Sequence, residues 1–226
     1  MSETAHQIDP VEPKKEKPSL FKVITDPGEQ FSRIKENPKV LVPLLIVTVI
    51  YALWAAIMAF TTDFQALVGD IPNGGDAAFF AEAEGFIRMT TFITSIIMPT
   101  LGAVIGAFIM WIAVKLTAGN ATYKQLFSLN VFISLIAGLG LLINILIATM
   151  FNLNPIQMIT GLTVLFDPFD PLYAFIAIFE VFAFWTLILT ALGLQIVASM
   201  RPATAWTVTL VITVGAAVIS FLTSGM

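Results

Sequence analysis

The segment VLVPLLIVTVIYALWAAIMAF, residues 40–60, contains no Asp, Glu, Lys or Arg. A helix needs about 20 apolar residues to cross the ~30 Å hydrocarbon core of a bilayer, and this segment has that length. Lipid offers the backbone no hydrogen-bonding partner, so a spanning segment must form a helix that satisfies its own peptide groups. The segment therefore predicts a transmembrane helix.

Four further segments are also long and apolar, and one of them contains a single charged residue. They cover residues 92–114, 127–150, 173–199 and 204–222. The alternating pattern of barrel strands is absent. The predicted fold class is all-α: a polytopic membrane protein with a bundle of five transmembrane helices and an N-terminal interfacial amphipathic helix. Residues 155–166 are apolar but too short to cross, and they are predicted to be interfacial or re-entrant.

Composition supports this class. The chain has 226 residues, of which 58% are hydrophobic and 12% charged, whereas soluble domains carry about 25% charged residues. Its net charge of −4 argues against a nucleic-acid partner, whose binding needs a clustered basic face. The chain has no cysteine, which excludes disulfides and thiolate metal sites. The lipid bilayer is the partner that the composition requires.

Three regions follow from the pattern along the chain. Residues 1–18 are polar, rich in proline and mixed in charge, which predicts a disordered tail. Residues 19–39 form an interfacial amphipathic segment. Residues 40–226 form the transmembrane domain.

The interfacial segment carries signals of a helix start. Asp26 is predicted as N-cap, Pro27 as the first helical residue, and Glu29 as the partner that completes a capping box. Pro27, Phe31 and Ile34 then share one face. A short helix with one apolar stripe and basic flanks is expected to lie in the membrane interface, with a plain linker as the alternative.

The basic residues predict the orientation of the chain. One side holds ten of them: Lys14, Lys15, Lys17, Lys22, Arg33, Lys35, Lys39, Lys115, Lys124 and Arg201. The other side holds Arg88 together with seven acids: Asp63, Asp70, Asp76, Glu82, Glu84, Asp167 and Asp170. The amino terminus is therefore predicted to be cytoplasmic and the carboxyl terminus extracellular, in a plasma membrane.

The chain carries no recognisable catalytic or cofactor motif. It has no phosphate-binding glycine loop, no GxGxxG after a strand and no HExxH. With one histidine and no cysteine, a His/Cys metal site cannot be assembled. No catalytic residue, cofactor or metal is predicted, and the protein is expected not to be an enzyme.

Glu180 is the one charged residue inside a predicted span. An ionisable group at such depth is costly unless it is paired or neutral, which makes it a functional candidate by default. Arg88 is its predicted partner. Either the pair only fixes helix packing, or Glu180 serves as a substrate or proton site.

Other residues in the spans bear on packing. Gly102 and Gly106 form a GxxxG pattern that favours close helix contact, and Pro99 is predicted to kink the same helix. Asn130, Asn144 and Gln195 are polar groups that must find partners between helices.

Four stretches, taken in their order and spacing, resemble the bacterial branch of the Yip family, five-span proteins named for interaction with Ypt/Rab. They are DPGEQFSRI at 26–34 with Asn37-Pro38, residues 111–116 with 119–125, FEVF at 179–182 with Trp185, and LGL at 192–194. The likeness runs from about Leu20 to Leu222. The chain departs from the pattern in the third span, where Ala137-Gly138 replace a frequent proline.

The resemblance implies a protein that organises other membrane proteins and does not catalyse. Bacterial members of this type are associated with ABC exporters built from a permease, a nucleotide-binding subunit and a membrane-fusion subunit. The implied function is an accessory or assembly factor for such a complex. The alternatives are a small permease that uses Glu180 and Pro99 and, with least support, an intramembrane enzyme. A homo-oligomer is left open.

Overall fold

The computed structural model describes residues 16–62 and 77–223. Most of the predicted disordered tail, including Lys14 and Lys15, lies outside these ranges. So do three of the predicted outer acids, Asp63, Asp70 and Asp76.

Seven α-helices occur in the described ranges, with no β-strand among them. They are α1 (Pro27–Glu36), α2 (Leu41–Thr61), α3 (Ala77–Leu116), α4 (Tyr123–Phe151), α5 (Tyr173–Ile176), α6 (Val181–Val197) and α7 (Pro202–Thr223). Helices α2, α3, α4 and α7 are long and apolar enough to cross a membrane, and α6 is an apolar helix of 17 residues. The predicted all-α membrane bundle is confirmed.

Helix α4 lies at the centre of the bundle. In its most apolar stretch 56% of the residues are buried, against 17–22% in α2, α3 and α7. It packs against α2, α3 and α6, and Leu129, Phe132 and Leu135 are fully buried. The outward faces of its neighbours are apolar, as lipid requires.

Helix α3 packs against α4 through small residues. They are not the same set as the predicted pair Gly102 and Gly106. Ala103 and Ala107 are buried. A Cβ atom at Gly106 would lie 2.6 Å from Nδ2 of Asn130, whereas one at Gly102 would meet nothing within 4 Å. Gly106 therefore lies at the contact and Gly102 does not.

The structure places three further residues that the sequence singled out within the spans. Pro99 lies inside α3, which continues as one helix on both sides of it. Asn130 on α4 donates from Nδ2 to the carbonyl of Ala103 at 3.0 Å. Gln195 donates to the carbonyl of Ala191 within its own helix at 3.1 Å, so of these two side chains only Asn130 links two helices.

Helix α1 begins as predicted, but its capping box is half formed. Asp26 accepts a hydrogen bond from the Glu29 N–H at 3.2 Å, and Pro27 is the first helical residue. The Glu29 carboxylate pairs with Arg33 at 2.5 Å. The Asp26 N–H donates instead to the carbonyl of Lys22 at 2.8 Å.

The apolar stripe of α1 is covered by protein and does not face lipid, and the interfacial position of α1 stays a prediction. Phe31 and Ile34 are fully buried, and α1 packs against α6 and α4. The sequence shows which face of a helix is apolar, but not whether lipid or protein covers that face. Helix α1 closes one end of the bundle.

The segments with most of the basic residues meet at that same end. Lys35 of α1 donates to the Ser199 hydroxyl at 2.7 Å, and Gln125 of α4 donates to the Lys35 carbonyl at 2.5 Å. The Asn120 N–H donates to the Ala198 carbonyl at 2.8 Å. We call this the basic end, formed by residues 16–39, 117–125 and 198–201.

Helix α7 finishes at the opposite end of the bundle. There the Phe221 ring contacts the Phe175 ring of α5 at a centroid distance of 5.7 Å. The described chain therefore starts at one end of the bundle and finishes at the other.

Candidate functional site

The predicted fourth span, residues 173–199, is interrupted. Helix α5 passes into a 3₁₀ turn at Ala177–Phe179, Glu180 is extended with φ −76° and ψ 142°, and α6 starts at Val181. Glu180 was expected inside a continuous helix, and that expectation was wrong. It is the N-cap of α6, with 5% of its surface exposed.

The carboxyl group of Glu180 accepts hydrogen bonds from three donors. Oε2 accepts from the Ala183 N–H in the first turn of α6 at 2.8 Å. Oε1 accepts from the Thr160 hydroxyl and from Nδ2 of Asn144, the latter at 3.5 Å. The positive end of a helix dipole also favours an acidic group at this position. Neutral donors and a helix terminus thus stabilise a buried acid.

Asn144 links α4 to the loop that precedes α5. Its Oδ1 accepts from the backbone N–H groups of Ile159 at 2.6 Å and Thr160 at 3.0 Å. Its Nδ2 donates to the carbonyl of Gly140 at 2.9 Å. Asn144, Thr160 and Glu180 therefore form one network, named here the Glu180 cluster, that joins α4, the loop and α6.

The loop that contributes Thr160 folds back onto the bundle. Gly161 and Glu180 form an isolated antiparallel bridge, and the Val181 N–H donates to the Thr160 carbonyl at 3.3 Å. A Cβ atom at Gly161 would lie 2.6 Å from the Cα of Glu180, so only glycine permits this approach. The hydroxyl of Tyr173 accepts from the Met158 N–H at 2.7 Å.

The predicted Glu180–Arg88 pair is not formed. Arg88 donates to the Glu84 carboxylate at 2.6 Å, one helical turn away on α3. It also donates to the carbonyls of Ala59 and Thr62 at the end of α2. Arg88 thus ties α3 to α2, and Glu180 is satisfied elsewhere.

Sequence reasoning missed Thr160 entirely. The polarity of Asn144 within a span did indicate that it needs a partner, but nothing named that partner. Thr160 lies in a loop outside every predicted span. The cost of placing a charged group deep in the membrane, which singled out Glu180, therefore did not apply to it. The dipeptide Thr160-Gly161 beside an apolar run was the only sequence feature that could have indicated this residue, and it is a weak indication.

The geometry of the Glu180 cluster suits a structural role better than a reactive one. Both carboxyl oxygens accept bonds from groups of the same chain. In residues 16–62 and 77–223, no group of three or more His, Cys, Asp or Glu is arranged to hold a metal ion. The cluster holds the start of α6 against α4.

An apolar helical bundle around α4, closed at one end by a short N-terminal helix, defines an integral membrane protein. The Yip1 domain matches residues 21–224, and the chain belongs to the bacterial Yip family. It is 35% identical over 212 residues to "Membrane protein YknW" of Bacillus subtilis (strain 168), covering 93% of this chain and 91% of that protein. No solved structure matches the chain.

Proposed function

We propose that the protein is a non-enzymatic membrane scaffold or assembly factor that binds other membrane proteins and supports an ABC-type exporter complex. A scaffold needs a preformed surface for its partner and no reactive centre. A polar cleft at the basic end supplies such a surface, and this cleft is the observation that carries the proposal.

The cleft has a volume of about 640 Å³. Its walls come from α1, the start of α4 with the loop before it, and the end of α6. The lining residues are Ser32, Lys35, Glu36, Asn120, Thr122, Gln125, Ile196 and Ser199. A mixed polar lining with both signs of charge suits a water-exposed segment of a protein partner.

The walls of the cleft are held in place by bonds and by backbone geometry. Lys35 bonds both Ser199 and Gln125 across the cleft. Ser199 has φ 52° and the neighbouring Ala118 has φ 55°. A left-handed residue other than glycine costs about 1–2 kcal/mol and persists only where the surroundings fix it. A cleft held this way loses little entropy on binding a partner.

The small permease is less well supported. Transporters do use interrupted helices, whose exposed N-termini bind anionic substrates. The interruption before α6 has that form. However, the N-terminus of α6 is already capped by Glu180 of the same chain, which leaves it unsuited to a substrate.

Orientation decides what the cleft faces. By the positive-inside rule the basic end is cytoplasmic, which puts the cleft on the side where a nucleotide-binding subunit lies. We expect a reporter that is active only outside the cell to be active when fused after Met226. Activity from a reporter that works only in the cytoplasm would contradict this orientation and the proposed place of the cleft.

A charge reversal in the cleft tests the scaffold role. Glu36 is exposed, and within the described residues no side chain bonds to it. Glu36→Arg changes the charge of the cleft without removing an internal contact. We expect it to lower the amount of exporter subunits that co-purify from native membranes by about tenfold, equivalent to about 1.4 kcal/mol of binding.

Glu29→Arg is the matched control. It makes the same change on the same helix, outside the cleft, and removes only an exposed ion pair with Arg33, a kind of contact that contributes little stability. Co-purification at the wild-type level is expected for it. Equal capture by wild type, Glu36→Arg and Glu29→Arg would contradict the cleft as the partner site.

A further inference from the structure

A second cavity lies at the basic end, between the N-terminal segment and the first turns of α2. Its volume is about 540 Å³. Its lining is Lys17, Pro18, Ser19, Leu20, Phe21, Lys39, Val40, Leu41, Val42, Pro43 and Ile46. Most of the wall is apolar, and both charged residues in it are lysines.

The apolar wall continues onto an exposed surface. Phe21, Leu41 and Val42 are 57%, 71% and 65% exposed. Helix α2 starts at Leu41 and crosses the membrane from there, so this surface lies where hydrocarbon meets the headgroups. Lysines at such a boundary keep their ammonium groups in water while their apolar stems lie along the apolar surface.

The positive charge of the cavity comes from Lys17 and Lys39. Within residues 16–62 and 77–223, neither the Lys17 nor the Lys39 ammonium group has a carboxylate partner. The nearby Glu16 and Glu29 both pair with Arg33 instead. Among the residues that the structure describes, no side chain caps the start of α2, so the dipole of its first turn adds to the positive potential.

We propose that this cavity binds an anionic phospholipid of the cytoplasmic leaflet. Lys17 and Lys39 hold the headgroup phosphate, and the wall formed by Phe21, Leu41 and Val42 takes the first part of an acyl chain. Anionic lipids concentrate at basic segments beside a transmembrane helix. A free phosphate would use the lysines but would leave the apolar wall without a function. The site is independent of the exporter role and needs only the basic end to be cytoplasmic.

The test measures binding of fluorescent phosphatidylglycerol and phosphatidylcholine to the purified full chain in neutral detergent. We expect phosphatidylglycerol to bind about tenfold more tightly. The double variant Lys17→Gln/Lys39→Gln should bring its affinity to the phosphatidylcholine level. Lys39→Arg, which keeps the charge, should retain most of the preference.

Lys22→Gln is the matched control, because Lys22 lies on the same N-terminal segment, is exposed and does not line the cavity. It should bind as the wild type does, and all variants should keep wild-type helicity and thermal unfolding. Equal affinity for the two lipids would overturn the proposal. A loss with Lys22→Gln equal to that of the double variant would show diffuse charge attraction and overturn it as well. Complete displacement of the lipid by millimolar inorganic phosphate would show a free-phosphate site instead.

Discussion

Replacing Glu180 with alanine is expected to destabilise the fold by about 2–4 kcal/mol. The change removes the N-cap of α6, a loss of about 1 kcal/mol. It also removes one acceptor each from the Asn144 amide and the Thr160 hydroxyl. The amide keeps the Gly140 carbonyl at 2.9 Å, and the hydroxyl keeps Asn144 Oδ1 at 3.2 Å. Losing these buried hydrogen bonds costs a further 1–3 kcal/mol, roughly. The sum exceeds the effect of an ordinary surface substitution several times over.

The loss is measured as the difference in the free energy of unfolding between variant and wild type. The protein is titrated with a denaturing detergent in mixed micelles. Glu180→Gln keeps one acceptor oxygen and should lose less than half as much stability. Glu82→Ala, at an exposed acid on α3, is the control and should change little. If the stability of Glu180→Ala lay within about 1 kcal/mol of wild type, below the cost of the N-cap and the buried hydrogen bonds together, the structural role of the cluster would be wrong.

Gly140→Leu is expected to have an effect of similar size. Gly140 on α4 faces α6, where a Cβ atom would lie 2.6 Å from the Cβ of Phe182. That atom is close to the backbone and cannot rotate away, so α6 must move. Overpacking of this kind costs about 1–3 kcal/mol and more where the backbone shifts, and we expect at least about 3 kcal/mol for leucine. Gly140→Ala should show the same sign with a smaller loss.

Gly102→Ala is the control for this prediction. Gly102 belongs to the predicted GxxxG pattern but has open space where its Cβ would be. Alanine in a helix interior is more stable than glycine by about 0.5–1 kcal/mol, so a small gain is expected. A loss at Gly102 as large as that at Gly140 would contradict the packing of α4 on α6.

Much of the bundle could be predicted because a charge-free run of sufficient length has one stable form in lipid. Helix α2 was predicted at residues 40–60 and is found at Leu41–Thr61. The fourth span shows where that reasoning stops. Residues 173–179 are as apolar as those after Glu180, so hydropathy cannot reveal the interruption. The break coincides with a tertiary bridge between Glu180 and Gly161.

For related reasons, the sequence identified Glu180 in the candidate site but not the groups that bond to it. The free energy needed to bury an acid identified Glu180 as a candidate. That free energy does not indicate which group pairs with the carboxylate. Arg88 was chosen as the only basic residue on its side, although Glu84 stands four residues before it on the same helix. The Phe31 stripe shows the same limit, because its apolar face was evident and the protein that covers it was not.

The most direct test of the scaffold role compares Glu180→Gln with wild type in native membranes. Two quantities are measured, the amount of exporter subunits captured with the chain and the export that the complex supports. We propose that the protein is a scaffold and that Glu180 has only a structural role. The folded variant should therefore capture its partners and support export at the wild-type level. A variant that folds and captures its partners but abolishes export would contradict the scaffold role and indicate that Glu180 titrates during transport.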